Sequence, residues 1–323
     1  MYYINMNTST HRREYMEHQL LNRLKFQPKN IHRVEAISPT SPRFNITLLE
    51  KPCKRNTDRD LSVILSHLTA IHTAVYDKGS NAMWALILED DVSFLFDVDW
   101  DLLVTSIRRS DLNNKRTINS KKNKGSEHDW GILQLTTSNL EALDINWSAF
   151  VASAPSIRPR NEHMPNRTRD RGQLWSRNTW NLLTKDKKYP LYWSAQAYLV
   201  NKKVLKPFID DVVDVDANTG ELSFKIVNSF HPKTCKRTKE RPCVLSNCLF
   251  SDSYIFSGGA PTFVSNVPLL VGAEVGLRSD LHQNQVHMHE LAFARIRQLV
   301  GHFRNFTTAP ALPLPPFLSL LPC

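Results

Sequence analysis

The chain has 323 residues, of which 41% are hydrophobic and 22% are charged. A chain of this length and composition can bury a sizeable core and is not expected to be disordered. Its formal net charge of +10 favours anionic partners such as phosphates, acidic glycans or nucleic acid. A nucleic-acid binder is still disfavoured because no basic stripe alternates with aromatic residues, and a Rossmann oxidoreductase because there is no Gly-x-Gly-x-x-Gly. No apolar run approaches the roughly 20 residues that span a bilayer, so no transmembrane segment is expected.

The hydrophobic pattern predicts strands and helices in alternation. Short apolar runs predict strands at 2–5, 32–37, 83–88, 130–135, 195–200, 222–227 and 262–267. Apolar residues at a 3.6-residue spacing predict helices over 10–27, 61–78, 202–209 and 286–303. The inner face of the last helix is predicted at Leu291, Ala294, Ile296 and Leu299 or Val300. This order predicts an α/β fold with a mixed, largely parallel sheet flanked by helices.

One domain is predicted over residues 1–305, with a proline-rich tail at 306–323. Two polar stretches without a hydrophobic period, near 111–128 and 151–190, are predicted to be loop insertions. The tail is apolar but rich in proline, so it cannot form a regular helix and is expected to be extended.

The cysteines and glycosylation sequons bear on the cellular compartment. Cys235, Cys243 and Cys248 cluster in the sequence, and their spacing allows a local disulfide. With the Asn-x-Ser/Thr sequons they favour a secretory lumen for a eukaryotic chain, whereas a bacterial chain would be expected in the cytoplasm. The sequons are at Asn7, Asn45, Asn146, Asn166 and Asn305.

The strongest candidate for chemistry is the acidic triplet Glu89-Asp90-Asp91, which directly follows the apolar run 83–88. In an open α/β sheet, ligands bind just beyond the carboxyl ends of the strands. If the extended conformation continues, Glu89 and Asp91 project to one side and Asp90 to the other. Two carboxylates on one side suit a hard cation, Mg²⁺ or Mn²⁺, that is shared with substrate phosphates. The alternative interpretation is a solvated strand end whose acids cap the next helix.

Two further pairs of residues are candidates for ligand binding. Arg12 and Arg13 lie at the start of the first predicted helix, where they can bind a diphosphate bidentately or simply be solvated. Ser66 and His67 lie off the apolar stripe of the second predicted helix, so they can face a ligand pocket. A structural hydrogen bond is an equally good interpretation of His67.

Several short segments occur along the chain in an order that is similar to a known family. They are Tyr3-Ile4-Asn5 with Arg12-Arg13, Leu65-Ser66-His67-Leu68, Trp84 to Val92 (WALILEDDV), Ser251-Asp252-Ser253-Tyr254 and Val267-Pro268-Leu269. In this order they resemble glycosyltransferase family 25, which includes lipooligosaccharide and procollagen galactosyltransferases. The resemblance covers most of residues 2–110 and, more loosely, 190–290.

The resemblance implies a GT-A fold that binds a nucleotide sugar and holds Mn²⁺ or Mg²⁺ at an acidic motif. Carried over to this sequence, Asp91 is the direct metal ligand, and Glu89 or Asp90 contacts the ribose or orders metal-bound water. The first strand and helix and the Ser-His helix border the donor site. The donor-binding residues implied are Ile4, Asn5, Arg12, Arg13, Ser66, His67, Glu89 and Asp90.

The resemblance also implies an inverting reaction, in which a general base activates an acceptor hydroxyl. Asp252 is the first candidate for this base and Asp280 the second. A late histidine completes the metal shell in several metal-dependent GT-A enzymes, and His287 is the candidate here. The family suggests UDP-galactose as donor, with UDP-glucose second, and a glycan or glycoprotein as acceptor.

Two other functions are compatible with the same acidic triplet. A non-catalytic glycan-binding relative would keep the fold, but an intact triplet argues against it. A metal-dependent phosphohydrolase could use the three carboxylates, but it would usually need further ligands for a second metal, and the sequence shows no such constellation. The sequence therefore predicts a metal-dependent hexosyltransferase.

Overall fold

A computed structural model gives the structure of the chain. It describes residues 1–48, 57–105, 130–140, 142–144, 147–148, 175–177, 194–226, 254–256, 262–265, 269–272, 286–304 and 318–320. The clustered cysteines and the insertion predicted near 111–128 lie outside the described residues, as does the insertion near 151–190 apart from residues 175–177.

Strands and helices alternate through the first part of the chain. In chain order the strands are β1 (Tyr2–Asn5), β2 (His32–Glu35), β3 (Ile46–Leu48), β4 (Trp84–Glu89), β5 (Val92–Phe94), β6 (Phe96–Val98), β7 (Ile132–Gln134), β8 (Trp175–Arg177), β9 (Ala197–Asn201), β10 (Val213–Val215), β11 (Leu222–Ile226), β12 (Thr262–Ser265), β13 (Leu270–Gly272) and β14 (Leu318–Leu320). The main α-helices are α1 (Thr10–Glu17), α2 (Asp58–Tyr76), α3 (Lys202–Val212) and α4 (Val286–Arg304).

The central sheet has seven strands in the order β2-β1-β4-β9-β7-β12-β8. β1 pairs in parallel with β2 and with β4, and β7 pairs in parallel with β12. β9 is antiparallel to both of its neighbours, and β8 is antiparallel to β12. Five of the seven strands therefore run in one direction, which confirms the prediction of a mixed, largely parallel sheet flanked by helices.

The described residues also form three smaller sheets. β3, β10 and β11 form a three-stranded sheet, β5 pairs with β13, and β6 pairs with β14 from the C-terminal tail. Seven short strands were not predicted from the sequence: β3, β5, β6, β8, β10, β13 and β14. Each of them has only three residues, which is too short for a hydrophobic period to be recognised. β8 lies within residues 151–190, so the prediction of an uninterrupted loop insertion there is wrong.

β4 shows why the sheet is covered on both faces. Ala85 and Ile87 point into an apolar cluster that contains residues of α2 and α3. Leu86 and Leu88 point into a second cluster, which contains residues of α1 and α4. Successive side chains of a strand project to opposite faces, so an unbroken apolar run is expected of a strand buried on both.

The first helix changes its winding halfway along. α1 continues into a π-helix, His18–Arg23, which ends well before Pro28. The predicted apolar stripe is observed, since Met16 and Leu20 are fully buried against the sheet. Ser9 occupies the N-cap position, but within the described part of the chain its side chain makes no capping hydrogen bond. Single-turn π-helical segments often occur at functional sites.

A capping box fixes the start of α2. The Thr57 hydroxyl accepts a hydrogen bond from the Asp60 backbone N–H, and the Asp60 carboxylate accepts one from the Thr57 N–H at 2.8 Å. Each group satisfies a backbone donor that has no partner within the helix. The box therefore sets the residue at which this buried helix begins.

Replacing Thr57 with alanine is expected to lower the free energy of unfolding by about 1 kcal/mol, because one capping partner is lost. Urea denaturation followed by circular dichroism measures this change. Thr73→Ala is the control, since the Thr73 hydroxyl bonds back to Thr69 O within α2 and alanine favours a helix. Equal destabilisation by the two changes would contradict a role for the capping box.

The predicted inner face of α4 needs one correction. Ile296 and Leu299 are buried, as predicted, but Leu291 is 41% exposed. Ala294 is exposed too. The buried face also contains Ala292 and Phe293, because residues at these positions share one side of a helix with Ile296 and Leu299, whereas Leu291 and Ala294 lie to either side of it. Among the described residues, no helix is long and apolar enough to cross a membrane.

Candidate active site

The carboxyl ends of β1, β2, β4 and β7 lie at one edge of the sheet, because these strands run in the same direction. β4 ends at Glu89, and Asp90 and Asp91 then form a turn that leads into β5. The expectation that extended geometry continues through the triplet is wrong. β4 and β5 belong to different sheets, so the chain has to turn between them, and the three carboxylates enter different surroundings.

Asp90 is held by the first strand and helix. Its carboxylate accepts a hydrogen bond from Asn5 Nδ2 at 2.7 Å, and Arg12 approaches its other oxygen at 3.3 Å. Asp90 is 7% exposed. Burial raises the pKa of Asp90, while the hydrogen bond from Asn5 and the charge of Arg12 oppose the rise. Two of the predicted donor-binding residues therefore meet the acidic triplet directly.

The buried Asn5 side chain is the centre of a hydrogen-bond network that extends to the surface. Its Nδ2 also donates to Ser9 O at 3.0 Å, and its Oδ1 accepts from Arg33 Nε at 2.9 Å. Arg33 NH2 bonds in turn to Asn7 Oδ1 at 2.6 Å. Arg33 was not among the residues predicted from the sequence. In the sequence, Arg33 is simply a charged residue within a short predicted strand. Charged residues are common on edge strands, so they do not indicate a site.

Glu89 is connected to the interior of the domain. Its Oε1 lies 3.1 Å from His67 Nε2, and His67 Nδ1 lies 2.9 Å from the Tyr198 hydroxyl. The Glu89 side chain is 26% exposed, whereas that of His67 is 1% exposed. Glu89 N donates to Gln196 O at 2.8 Å, which anchors the backbone at the end of β4. His67 therefore contacts the triplet from beneath the surface.

Asp91 is the unsatisfied member of the triplet. The residue is 2% exposed, and its Oδ1 has no hydrogen-bond partner in the part of the chain that the structure describes. Burial and then the charges of Glu89 and Asp90 raise the pKa of Asp91 well above its usual value, and the charge of Arg12 opposes this rise. A buried carboxylate oxygen without a partner is costly unless a cation or a donor binds to it.

The donor set of this turn fits a hard divalent cation. Carboxylate oxygens are the ligands that Mg²⁺ and Mn²⁺ prefer, and Asp91 Oδ1 is available to one. No group of three or more metal-ligating side chains is assembled among the described residues. The arrangement therefore suits an ion that takes one or two protein carboxylates and completes its shell with water and phosphate oxygens.

The π-helix holds the chain on the far side of the acidic turn. Gln19 Nε2 donates to Val92 O at 2.8 Å, and Gln19 Oε1 accepts from Phe94 N at 3.3 Å. Tyr15 and Ser93 share a hydrogen bond between their hydroxyls. A buried amide thus pairs with the β5 backbone much as a neighbouring strand would, and this fixes where the turn ends.

Two of the other predicted donor-binding residues, Ile4 and Ser66, have structural contacts. Ile4 is buried in the cluster beneath α2. The Ser66 hydroxyl donates to Ser62 O at 2.7 Å and accepts from Ile37 N at 2.8 Å, so it ties α2 to the segment after β2. Burial raises the pKa of Tyr3, and the nearby charge of Arg13 partly opposes this rise. Contact of Ile4, Ser66 or Arg13 with a donor stays a prediction.

Three predicted site residues cannot be placed against the triplet. Asp252 and Asp280, the candidates for the general base, lie outside the described residues. His287, the candidate late metal ligand, lies in the first turn of α4, where only the backbone is described. Their roles stay predictions.

The architecture and this edge of the sheet define a class of protein. A mixed α/β sheet flanked by helices, with an acidic turn beyond a central strand, is the arrangement of a GT-A-like glycosyltransferase domain. The family model described as glycosyltransferase family 25 (LPS biosynthesis protein) matches residues 1–219. The match covers more than half of the chain, so the protein belongs to glycosyltransferase family 25. No curated protein matches the sequence.

Membership confirms the resemblance seen in the sequence. It supports glycosyltransferase activity in glycan biosynthesis, with a sugar donor and a glycan acceptor. The matched residues include β1, α1, α2, β4 and the acidic turn, and they extend through β9 and α3. Asn5 and Arg12, which contact Asp90, and His67, which contacts Glu89, therefore lie within the matched residues.

Proposed function

We propose that the protein transfers a hexose from a UDP-sugar to a hydroxyl of a glycan or glycoprotein acceptor, with a divalent cation at the acidic turn. The observation that carries this proposal is the buried Asp91 carboxylate, whose Oδ1 has no partner among the described residues. Membership of a glycosyltransferase family supports the reaction class, and the location at the carboxyl edge of the sheet supports the site.

Asp91 would hold Mn²⁺ or Mg²⁺, with Glu89 as a second ligand or as a ligand of a metal-bound water. When bound, the cation would neutralise charge that develops on the nucleoside diphosphate leaving group. The protein's own contribution is to hold the carboxylates in place before the donor arrives. Asn5 and Arg12 do this for Asp90, and His67 does it for Glu89.

UDP-galactose is the first donor to test and UDP-glucose the second, as the family resemblance suggests. The family description as an LPS biosynthesis protein makes a lipopolysaccharide-type saccharide a suitable first acceptor. We propose inversion at the transferred carbon, which requires a general base opposite the leaving diphosphate. Asp252 is the first candidate for that base and Asp280 the second, and His287 is the candidate for a late metal ligand.

Binding of the donor is expected to require metal. Titration calorimetry and thermal unfolding with UDP-galactose, UDP-glucose and UDP, each with and without Mn²⁺, measure this directly. A ligand at about 100 times its Kd stabilises the folded state by about 2.7 kcal/mol, so a bound donor should raise the Tm clearly. GDP-mannose serves as the matched nucleotide control.

The proposal is abandoned if folded protein binds no UDP-sugar with or without Mn²⁺. Metal-dependent cleavage of a simple phosphate ester under the same conditions would then point to a phosphohydrolase. Binding of a glycan without binding of any nucleotide sugar would point to a non-catalytic relative. Metal-independent binding of UDP-sugar would keep the reaction class and remove the cation from the site.

A further inference from the structure

A chain of three polar side chains crosses the buried face of the sheet and ends at the site. The Tyr198 hydroxyl lies 2.9 Å from His67 Nδ1, and His67 Nε2 lies 3.1 Å from Glu89 Oε1. Tyr198 is the second residue of β9, His67 lies in α2 and Glu89 is the last residue of β4. The strand register places Tyr198 opposite Ile87, two residues before Glu89 on the same face of β4.

Tyr198, His67 and Glu89 become more exposed in this order, from the interior towards the site. Tyr198 is 0% exposed and His67 is 1% exposed, and both lie beneath the surface between α2 and the sheet. Glu89, at the other end, has a side chain that is 26% exposed. Buried polar groups have to be paired, and here each pairs with the next until the chain reaches a partly exposed carboxylate.

The direction of the hydrogen bonds follows from the chemistry of the two ends. Burial, and then the charge of Glu89, raises the pKa of Tyr198 well above its usual value, so the phenol keeps its proton and can donate it. In the tautomer of a neutral ring that accepts this proton on His67 Nδ1, the ring proton is on Nε2 and points to the Glu89 carboxylate. In this arrangement the Tyr198 hydroxyl donates, His67 Nδ1 accepts, His67 Nε2 donates and Glu89 Oε1 accepts.

We propose that His67 is a positioning residue, supported by Tyr198, that orients the Glu89 carboxylate for donor binding and does not itself contact the donor. The inference rests on the proposed function, since it assigns a role within the same site. The backbone of Glu89 is already fixed by the hydrogen bond to Gln196 O, so the remaining freedom lies in the side-chain torsions. The hydrogen bond between His67 Nε2 and Glu89 Oε1 restricts these torsions.

If His67 orients Glu89, changes to His67 should alter the KM for the donor. His67→Leu should raise the KM for the donor about 10- to 100-fold, which is the usual effect of losing a group that orients a ligating side chain. The KM for the acceptor should stay unchanged. Tyr198→Phe should raise the donor KM by less, because the histidine remains but can turn. His67→Gln should recover part of the loss, since its amide N–H can replace the Nε2 donor.

A double-mutant cycle separates action through Glu89 from direct contact with the donor. In a Glu89→Gln background, adding His67→Leu should raise the donor KM little further, because the carboxylate that His67 orients is already absent. A full additional rise of about 10- to 100-fold in this background would overturn the inference, since His67 would then act independently of Glu89.

Tyr2→Phe is the matched control for Tyr198→Phe. Tyr2 is a buried tyrosine that points into the same cluster of the same sheet, but its hydroxyl donates to Asp77 at 2.5 Å, near the opposite edge. Both changes remove one buried hydroxyl, so both should lower the Tm. Only Tyr198→Phe should change the donor KM, and equal donor KM values for the two variants would show that the hydroxyl of Tyr198 is merely structural.

A measurement that does not need activity keeps this inference separate from the proposed function. Long-range ¹H–¹⁵N NMR spectra report the His67 tautomer, with the signals assigned by their absence in His67→Gln. A proton on Nε2 and a change in the Nδ1 signal in Tyr198→Phe are expected. A neutral ring protonated on Nδ1 would overturn the arrangement even in an enzyme that uses UDP-sugars. If the expected tautomer is found but no UDP-sugar binds, the proposed function fails, and with it the role in donor binding.

Discussion

Replacing Asp91 with asparagine is expected to abolish sugar transfer while the protein remains folded. Asparagine keeps the shape of the side chain but removes the charge that would hold a divalent cation. A bound metal supplies several kcal/mol of charge stabilisation, so the loss in kcat should reach about a thousandfold or more. The measurement is release of UDP from UDP-galactose in the presence of Mn²⁺ and acceptor, together with Mn²⁺ binding by calorimetry.

The same change is expected to stabilise the protein when no metal is present. Burial and the neighbouring carboxylates raise the pKa of Asp91, so the folded state binds its proton more tightly than the unfolded chain. Asp91 therefore contributes stability below the usual carboxyl pKa, and this contribution is lost as the pH rises through the raised value. In buffer with a chelator, the Tm of Asp91→Asn should exceed that of the wild type increasingly from acid to neutral pH.

Asp97→Asn provides the control for both effects. Asp97 lies further along the chain in β6 and is exposed, so losing its charge should change neither sugar transfer nor the Tm in buffer with a chelator. Activity near the wild-type level in Asp91→Asn would remove Asp91 from the mechanism. A lower Tm of Asp91→Asn than of the wild type, at neutral pH and without metal, would show that the Asp91 carboxylate has favourable partners in solution.

The elements that the sequence predicted are those with a long or unambiguous pattern. α2 has a 3.6-residue apolar stripe over 19 residues, and β4 is a continuous apolar run. The acidic triplet was recognised because it directly follows that run, and Arg12 because it lies at a helix start. Each of these two predictions depends only on neighbouring residues in the sequence.

The connections between the site residues were not predictable in this way. Asn5 and Asp90 are separated by 85 positions, and His67 and Tyr198 by 131. Only the strand order brings these residues together. β1 and β9 flank β4, and no local pattern states this order. Arg33 was missed for the same reason, since its role depends on β2 lying beside β1.

The turn at Asp90 and Asp91 was not predicted from the sequence for a different reason. Extended geometry was the simplest continuation of β4, but the next strand, β5, pairs with β13 in another sheet. The chain turns to reach it, and Gln19 from the π-helix holds β5 there. The turn gives each carboxylate different surroundings. Asp90 is anchored by the first strand and helix, Glu89 is oriented from α2, and Asp91 is left with an oxygen that has no partner among the described residues.

Replacing Asn5 with aspartate is expected to disrupt the hydrogen bonds that hold Asp90. Asn5 Nδ2 donates to both Ser9 O and Asp90 Oδ2, and an ionised carboxylate has no proton for either. The change also places two buried carboxylates side by side. We expect the free energy of unfolding to fall by about 2–4 kcal/mol and transfer to fall at least about a hundredfold. Urea denaturation and the UDP-release assay measure these effects.

The control for this change is Asn201→Asp, because Asn201 is similarly buried at 2% exposed but acts as an acceptor in the bonds described. Its Oδ1 caps α3 by accepting from the N–H groups of Lys203 and Val204, and a carboxylate at a helix N-terminus does this at least as well. Its stability and activity should therefore stay near those of the wild type.

The Asn5→Asp variant should also recover stability as the pH falls, since the introduced carboxyl group, once protonated, can donate to Asp90 again. Equal effects of the two changes would mean that burial alone, and not the donated hydrogen bond to Asp90, makes Asn5 important.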